Sequence, residues 1–136
     1  MIILDTSFIV AFYNIRDENH LKATNLMEDV TAGKYGKLFI TDYIFDESMT
    51  VVFIRLKSLS ETVKIGELIR KSTELLEVEK SDFEDAWDLF KRQKTTAFSF
   101  TDCSTLILMK ENNIKTIATF DEDFLKVKGI NVMGAE

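Results

Sequence analysis

The chain has 136 residues, and 46% of them are hydrophobic, which is enough apolar material for the core of one domain. Its net charge of −6 has the wrong sign for a protein that grips nucleic acid through a broad basic face. A single histidine and a single cysteine exclude an intrachain disulfide, a zinc site of four Cys/His ligands and a catalytic pair of imidazoles. We expect one cytoplasmic domain over residues 1–136 without a membrane span, because no apolar run approaches the roughly 18 residues that such a span needs.

Short apolar runs alternate with longer segments of helical character, a pattern typical of βα units around a parallel sheet. In chain order, the predicted strands cover residues 2–4, 38–41, 75–78, 116–119 and 130–133. The predicted helices cover residues 7–13, 19–32, 42–56, 60–71, 82–94 and 101–112. Capping boxes are predicted at two helix starts, Ser81 with Glu84 and Ser99 with Asp102. The expected fold class is therefore α/β, with helices packed on a short-stranded parallel sheet.

Two aspartates follow predicted strands. Asp5 comes directly after the first strand, and Asp121 comes two residues after the fourth. In an open parallel sheet, ligands bind at the carboxyl ends of the strands, above all beside the point where the strand order reverses. Asp5 and Asp121 should therefore converge if the first and fourth strands are neighbours.

A third acid, Asp102, lies on the apolar stripe of its predicted helix, since Leu106 and Met109 follow it by four and seven residues. A polar group in that position is costly to bury unless something satisfies it, which suggests a function. Asp102 fits equally well as a cap that interacts with the positive end of the helix dipole. The sequence leaves both roles open.

A fourth acid comes from the helix predicted over residues 42–56. Glu47 shares its face with Ile44 and Val51, so it has apolar neighbours. The adjacent Asp46 also lies among apolar residues. Helical geometry alone does not decide which of the two acids faces inward.

Carboxylates are the abundant reactive groups that remain. His20 is expected to be solvent-exposed rather than a catalytic base, and Cys103 a small core residue. Carboxylates that are forced together repel each other unless a cation is present, and hard oxygen ligands select Mg²⁺ or Mn²⁺. Such a metal activates water for in-line attack on a phosphodiester, so hydrolysis of a nucleic-acid strand is the natural reaction.

A metal that neutralises the acids would leave basic residues elsewhere to contact phosphates. Each candidate, taken singly, is better explained as a solvated residue on a helix surface. The candidates are Arg55, Lys57, Lys64, Arg70, Lys71, Lys91, Arg92 and Lys94.

Four short motifs bring these acids together in a recognisable order. They are Ile3-Leu4-Asp5-Thr6-Ser7, Thr41 followed six residues later by Glu47, Ser99-Phe100-Thr101-Asp102, and Ala118-Thr119-Phe120-Asp121-Glu122-Asp123-Phe124. In this order and spacing, the chain resembles the PIN domain family and, within it, the toxin ribonucleases of the VapC type. The resemblance spans essentially the whole chain.

The resemblance implies which residues act. The catalytic acids, which would also bind Mg²⁺ or Mn²⁺, are Asp5, Glu47, Asp102 and Asp121. This choice favours Glu47 over Asp46. Asp123 would be a helper, and Thr6 or Ser7 would supply a hydroxyl beside the first acid. The resemblance further implies a three-layer α/β/α fold, a homodimer, an RNA substrate and an antitoxin that inserts a segment into the acidic groove.

Two alternatives stay open. One is a PIN-like module that binds RNA or a partner without cutting, although all four acids are present. The other is a Mg²⁺-binding receiver-type signalling domain, which needs two adjacent acids after its first strand, whereas Asp5 stands alone in its motif. A phosphatase with an Asp-x-Asp motif is disfavoured because Ser7 occupies the position of the second acid.

Overall fold

A five-stranded sheet forms the centre of the fold. The computed structural model describes residues 1–136. The strands are β1 (Ile2–Leu4), β2 (Leu38–Thr41), β3 (Glu74–Leu76), β4 (Thr116–Thr119) and β5 (Asn131–Gly134). All neighbouring strands are parallel, and their order across the sheet is β3-β2-β1-β4-β5. The central strand β1 is therefore the neighbour of β4, and the strand order reverses between them.

Helices cover both faces of this sheet. They are α1 (Thr6–Tyr13), α2 (His20–Thr31), α3 (Asp42–Leu56), α4 (Leu59–Ser72), α5 (Lys80–Lys91) and α6 (Phe100–Glu111). Ile2, Ile3 and Leu4 of β1 are all buried, although adjacent side chains of a strand point to opposite faces. Both faces are thus covered, which confirms the predicted three-layer α/β/α fold. No helix in the chain combines the length and apolarity needed to cross a membrane.

The two edge strands depart from their predicted bounds. β3 was expected over residues 75–78 but ends at Leu76. The carboxylate of Asp42 accepts a hydrogen bond from the Val78 backbone N–H at 3.0 Å, which draws the chain away from the sheet. β5 begins at Asn131, one residue later than predicted. A 3₁₀ helix over Glu122–Lys126 is absent from the sequence prediction because one short turn has no readable periodicity.

The start of α5 also differs from the prediction. The capping box expected from Ser81 and Glu84 is wrong, because the helix begins one residue before Ser81. Instead, the carboxylate of Asp82 accepts a hydrogen bond from the Glu79 backbone N–H at 2.9 Å. The first turn therefore closes around Asp82, and Ser81 lies within it.

The one histidine is half-buried rather than solvent-exposed. The Nδ1 atom of His20 lies 2.8 Å from the carbonyl oxygen of Ala11, so the ring links α2 to α1. Solvent exposure was expected because the neighbouring residues are charged, but this contact turns one ring nitrogen towards the protein.

Candidate active site

The four acids predicted from the sequence line one open cleft at the carboxyl ends of β1 and β4, with a volume of ≈ 370 Å³. Asp5 follows β1, Glu47 comes from α3, Asp102 from the first turn of α6, and Asp121 follows β4. Because β1 and β4 are neighbours, the two strand-end acids converge as expected.

Asp5 is the most buried of these acids, with 3% of its surface exposed. It occupies the N-cap position of α1, yet its side chain makes no capping hydrogen bond. Instead, Oδ2 accepts hydrogen bonds from the hydroxyls of Ser7 at 3.0 Å and Thr119 at 2.6 Å. Oδ1 is buried and has no hydrogen-bond partner. Burial raises the pKa of Asp5, and the nearby charge of Glu47 raises it further.

Asp102 is both a helix cap and a member of the cleft. Its Oδ2 accepts a hydrogen bond from the Ser99 backbone N–H at 2.9 Å, and Ser99 Oγ accepts one from the Asp102 N–H, so this predicted capping box is confirmed. Burial raises the pKa of Asp102 to about 7, and the negative charges of Asp5 and Asp121 contribute to the rise. The alternatives of cap and cleft residue are therefore not exclusive.

The structure distinguishes Glu47 from Asp46. Asp46 is exposed and lies outside the cleft, whereas Glu47 is half-buried and lines it. Val51 and Arg55, four and eight residues further along α3, line the same cleft. One face of α3 therefore presents an acid beside the strand ends and a base two turns away.

Asp121 begins the 3₁₀ segment and is fixed by two local hydrogen bonds. Its Oδ1 accepts from the Asp123 backbone N–H at 2.9 Å, and its own N–H donates to Thr119 Oγ1 at 3.1 Å. Thr119 thus contacts both strand-end acids, because the same hydroxyl donates to Asp5.

The donor set fits a divalent cation. None of the four acids forms an ion pair with a lysine or arginine. In the conformation described here, however, no three acidic, histidine or cysteine side chains lie close enough together to hold a metal ion. Without a cation the negative charges of these acids repel one another, and the charges of Asp5 and Asp121 add to the effect of burial on the pKa of Asp102. The unpartnered Oδ1 of Asp5 is the atom that a cation would satisfy, and carboxylate oxygens suit Mg²⁺ or Mn²⁺.

The supporting residues divide into two groups. Ser7 lies beside Asp5 and also accepts a hydrogen bond from the Phe120 backbone N–H at 3.0 Å, so it joins the β1 and β4 ends. Thr6 lines the cleft, but its buried hydroxyl has no hydrogen-bond partner. Asp123 is not brought into the cleft, because its oxygens accept hydrogen bonds from Ala97 N–H at 2.7 Å and Lys126 Nζ at 2.8 Å.

Sequence reasoning missed two parts of the site. One is the role of Thr119, whose hydroxyl supports Asp5 from 114 positions away in the sequence, so that no local pattern marks the contact. The other part is the loop between α1 and α2, from which Asp17, Glu18 and Asn19 line the cleft. Arg55 was one of eight basic candidates, and it is the only lysine or arginine that lines the cleft.

Residues 2–130 match the model of the PIN domain family. The VapC ribonuclease of Archaeoglobus fulgidus is 30% identical over 127 residues, which are 90% of this chain and 78% of the relative. The 23S rRNA-specific endonuclease VapC20 of Mycobacterium tuberculosis is 29% identical over 126 residues, which are 91% of this chain and 92% of the relative.

Solved structures share the fold. The crystal structure of Mycobacterium tuberculosis VapC20, described as a sarcin-ricin loop cleaving toxin, has a TM-score of 0.85 at 23% identity and covers 97% of this chain and 98% of its own. VapBC2 of Rickettsia felis, bound to a DNA fragment from its promoter, has a TM-score of 0.68 at 17% identity, with 97% of each chain covered.

Proposed function

From the premise that this chain belongs to the PIN domain family, as a VapC-type ribonuclease, we propose that it hydrolyses RNA in the acidic cleft. The metal would be Mg²⁺ or Mn²⁺, held by Asp5, Glu47, Asp102 and Asp121. One observation carries the proposal: four carboxylates without basic partners line one cleft, and the most buried of them has an oxygen with no hydrogen-bond partner.

The residues around Asp5 hold its carboxylate in place. The hydroxyls of Ser7 and Thr119 both donate to Oδ2, which fixes the carboxylate plane and leaves Oδ1 free for another partner. The Ser99 N–H similarly restrains one oxygen of Asp102. A divalent cation held by these acids would supply an activated water and would neutralise charge on the leaving oxygen. These hydrogen bonds hold Asp5 and Asp102 in place, so the other acids would move towards them when the cation binds.

Arg55 is our candidate for holding the RNA backbone. It is exposed, has no ion-pair partner, and lies eight residues from Glu47 on the same face of α3. Eight residues of helix span about 12 Å, so the guanidinium would meet a phosphate other than the scissile one. Guanidinium groups bind phosphate oxygens through charge-assisted, often bidentate hydrogen bonds.

The test of the cleavage site uses two neighbouring acids. Glu47→Gln should lower Mn²⁺-dependent cleavage of RNA by more than about 100-fold, because loss of a ligand costs more than loss of its hydrogen-bond support. Asp46→Asn removes the same charge from the exposed side of α3 and should leave cleavage unchanged. Large-subunit ribosomal RNA is the first substrate to assay, given the substrate in the VapC20 name.

The outcomes separate the proposal from its rival. Asp5→Asn should also abolish cleavage with the fold retained, as judged by circular dichroism. Equal activity of Glu47→Gln and Asp46→Asn would remove Glu47 from the site. No cleavage of any RNA by the metal-loaded wild type would favour the non-cleaving RNA-binding or partner-binding module.

We further propose that the chain is the toxin of a type II toxin–antitoxin pair and acts in the cytoplasm, where its RNA substrate is found. The acidic cleft would be blocked by a segment of the antitoxin, and a basic side chain suits its charge. Induced expression of the wild type in a bacterial host should arrest growth, whereas Asp102→Asn should not. Harmless expression of the active wild type would contradict the toxin assignment.

A homodimer is the proposed assembly. Phe83, Trp87 and Phe90 lie at helical spacing on α5 and are each more than a third exposed. Trp87 stacks on Phe90, and an exposed aromatic stripe of this kind suits a self-complementary interface around a two-fold axis. Trp87→Glu should convert a dimer into a monomer in light scattering, and an unchanged mass would exclude this face.

A further inference from the structure

A second groove opens at the opposite edge of the sheet from the acidic cleft. It is bordered by α5, by α6, by the loop that joins them and by the segment that precedes β5. Lys115 directly precedes β4 and Ile130 directly precedes β5, so the groove lies at the amino ends of these strands. Its volume of ≈ 700 Å³ exceeds that of the cleft and falls within the roughly 300–1,000 Å³ of typical ligand pockets.

The floor of this groove is aliphatic. Eight of its 17 lining residues are hydrophobic, and the only aromatic one, Phe98, is buried. The five floor residues that keep part of their surface open to solvent are Leu89, Leu106, Ile107, Val127 and Ile130. Apolar surface gathered in a concave site, rather than scattered singly, marks a place where another molecule docks.

All charged residues that line the groove are basic. The rim contains five lysine or arginine residues and no aspartate or glutamate. In a chain with 23 acidic and 17 basic residues, this local excess opposes the overall charge. None of the five forms an ion pair. They are Arg92, Lys94, Lys110, Lys115 and Lys128.

The wall formed by the α5–α6 loop is fixed in advance. The side chain of Gln93 accepts a hydrogen bond from the Phe98 N–H at 2.6 Å and donates one to the Phe98 carbonyl at 3.0 Å. Asp123 and Lys126 fasten the same loop to the 3₁₀ segment, through Ala97 N–H at 2.7 Å and the Thr95 carbonyl at 2.8 Å. A ligand therefore meets a formed groove and does not have to order it.

We propose that this groove binds an amphipathic, acidic helix of a partner protein. The apolar face of such a helix would cover the aliphatic floor, while its Asp and Glu side chains would meet the five unpaired bases. A single RNA strand fits less well, because sequence-tolerant binding of bases relies on accessible aromatic rings and the floor offers none. The proposal does not depend on cleavage in the acidic cleft.

The test uses a synthetic peptide of about 14 residues, with Leu at helical spacing on one face and Glu elsewhere, labelled with fluorescein. Fluorescence anisotropy should show that it binds the wild-type protein. The double variant Lys115→Glu with Lys128→Glu should bind at least about tenfold more weakly, since both residues border this groove and neither lines the acidic cleft. The matched control, Lys22→Glu with Lys71→Glu, changes the net charge equally at exposed positions outside it and should bind as the wild type does.

Four results of the binding measurements would overturn the proposal. They are no binding by the wild type, equal weakening in both double variants, equal binding of a peptide with its leucines scrambled, and loss of single-stranded RNA binding only in Lys115→Glu with Lys128→Glu. Light scattering on both double variants tests whether the groove instead binds a second copy of this chain. A dimer that dissociates only in the groove variant would assign the groove to a second copy of the chain and would equally overturn the proposal.

Discussion

At Asp102, one carboxylate serves the helix and the cleft together. Its pKa of about 7, against an ordinary 3.8, means that near neutral pH the metal-free protein carries a proton there about half of the time. The cation that we propose for this cleft needs the ionised form of Asp102, so its binding would displace that proton. The pKa of Asp5 is also raised, so its carboxyl group would likewise have to be ionised before it could bind a cation.

Cation affinity should therefore rise with pH around neutrality. With a pKa of about 7, the ionised fraction of Asp102 grows from roughly one tenth at pH 6 to nine tenths at pH 8, so Mn²⁺ affinity should increase about tenfold. Calorimetry in buffers of different ionisation enthalpy should detect the released proton. Asp102→Asn should bind Mn²⁺ more weakly and lose most of the pH dependence. A wild-type Mn²⁺ affinity that does not change with pH would contradict the assignment of Asp102 as a ligand.

Arg55 offers a prediction about substrate binding. Arg55→Gln should raise KM for RNA about 10- to 100-fold with little change in kcat, since a hydrogen bond to a charged group contributes roughly 1.5–3 kcal/mol. The dependence of affinity on salt should also fall by about one charge. Arg70→Gln, an exposed arginine of α4 outside the cleft, is the control. A matching loss in kcat would instead make Arg55 part of the chemistry.

At the scale of elements, α6 links stability to the cleft through its first turn. Ser99 caps this helix, and the same capping box restrains Asp102. α4 has a comparable cap, in which Ser58 Oγ accepts a hydrogen bond from the Glu61 N–H at 3.2 Å, but no residue of α4 lines the cleft. Both helices thus begin with a serine cap, but only the cap of α6 adjoins an acid of the cleft.

Ser99→Ala and Ser58→Ala should each lower the free energy of unfolding by about 1 kcal/mol, the usual cost of losing a serine cap. Only Ser99→Ala should also weaken Mn²⁺ binding, because it loosens the turn that carries Asp102. Denaturant unfolding and calorimetry measure the two effects. Equal metal affinity in both variants would show that the cap has no role in the site.

The sequence predicted the central elements better than the peripheral ones. β1, β2 and β4 have the predicted bounds, because strands covered on both faces read as unbroken apolar runs. β3 and β5 pair on one side only, and a single tertiary contact such as Asp42 to Val78 is enough to shift an edge strand. That contact joins residues 36 positions apart, which no local pattern encodes.

The candidate site was predictable only in part, for a similar reason. Acids at strand ends stand out, and the resemblance selected Glu47, but the choice between Glu47 and Asp46 depends on how α3 packs. The Thr119 hydroxyl reaches Asp5 across 114 positions of sequence, and an isolated threonine carries no mark of that contact. A supporting hydroxyl next to its acid in sequence, such as Ser7, can be predicted, whereas a distant one such as Thr119 is found only in the folded chain.

For the molecule as a whole, the buried carboxylates of the cleft lower the stability of the metal-free folded protein. Without metal, Asp5→Asn should melt a few degrees higher than the wild type, because the amide oxygen still accepts from Ser7 and Thr119 while the buried charge is gone. The advantage should grow as the pH rises above about 4, because a carboxylate whose pKa is raised in the folded state costs stability as the pH rises above its ordinary pKa of 3.8.

Added metal should reverse the order. At about 100 times its Kd, Mn²⁺ stabilises a folded protein by about 2.7 kcal/mol, which the wild type should gain and Asp5→Asn should not. Thermal unfolding of both proteins in EDTA and in Mn²⁺ measures the order of their melting temperatures without and with metal. A wild type that already melts higher in EDTA, or an Asp5→Asn variant that gains as much from Mn²⁺, would contradict this account.

The central position of β1 has a consequence for biosynthesis. The first strand to leave the ribosome must wait for β4 before its second edge is paired, and Asp5 waits equally long for Thr119. A nascent chain that stops short of that threonine carries three of the four acids but no assembled catalytic centre. The site that we propose for cleavage is thus completed only after β4 has been synthesised.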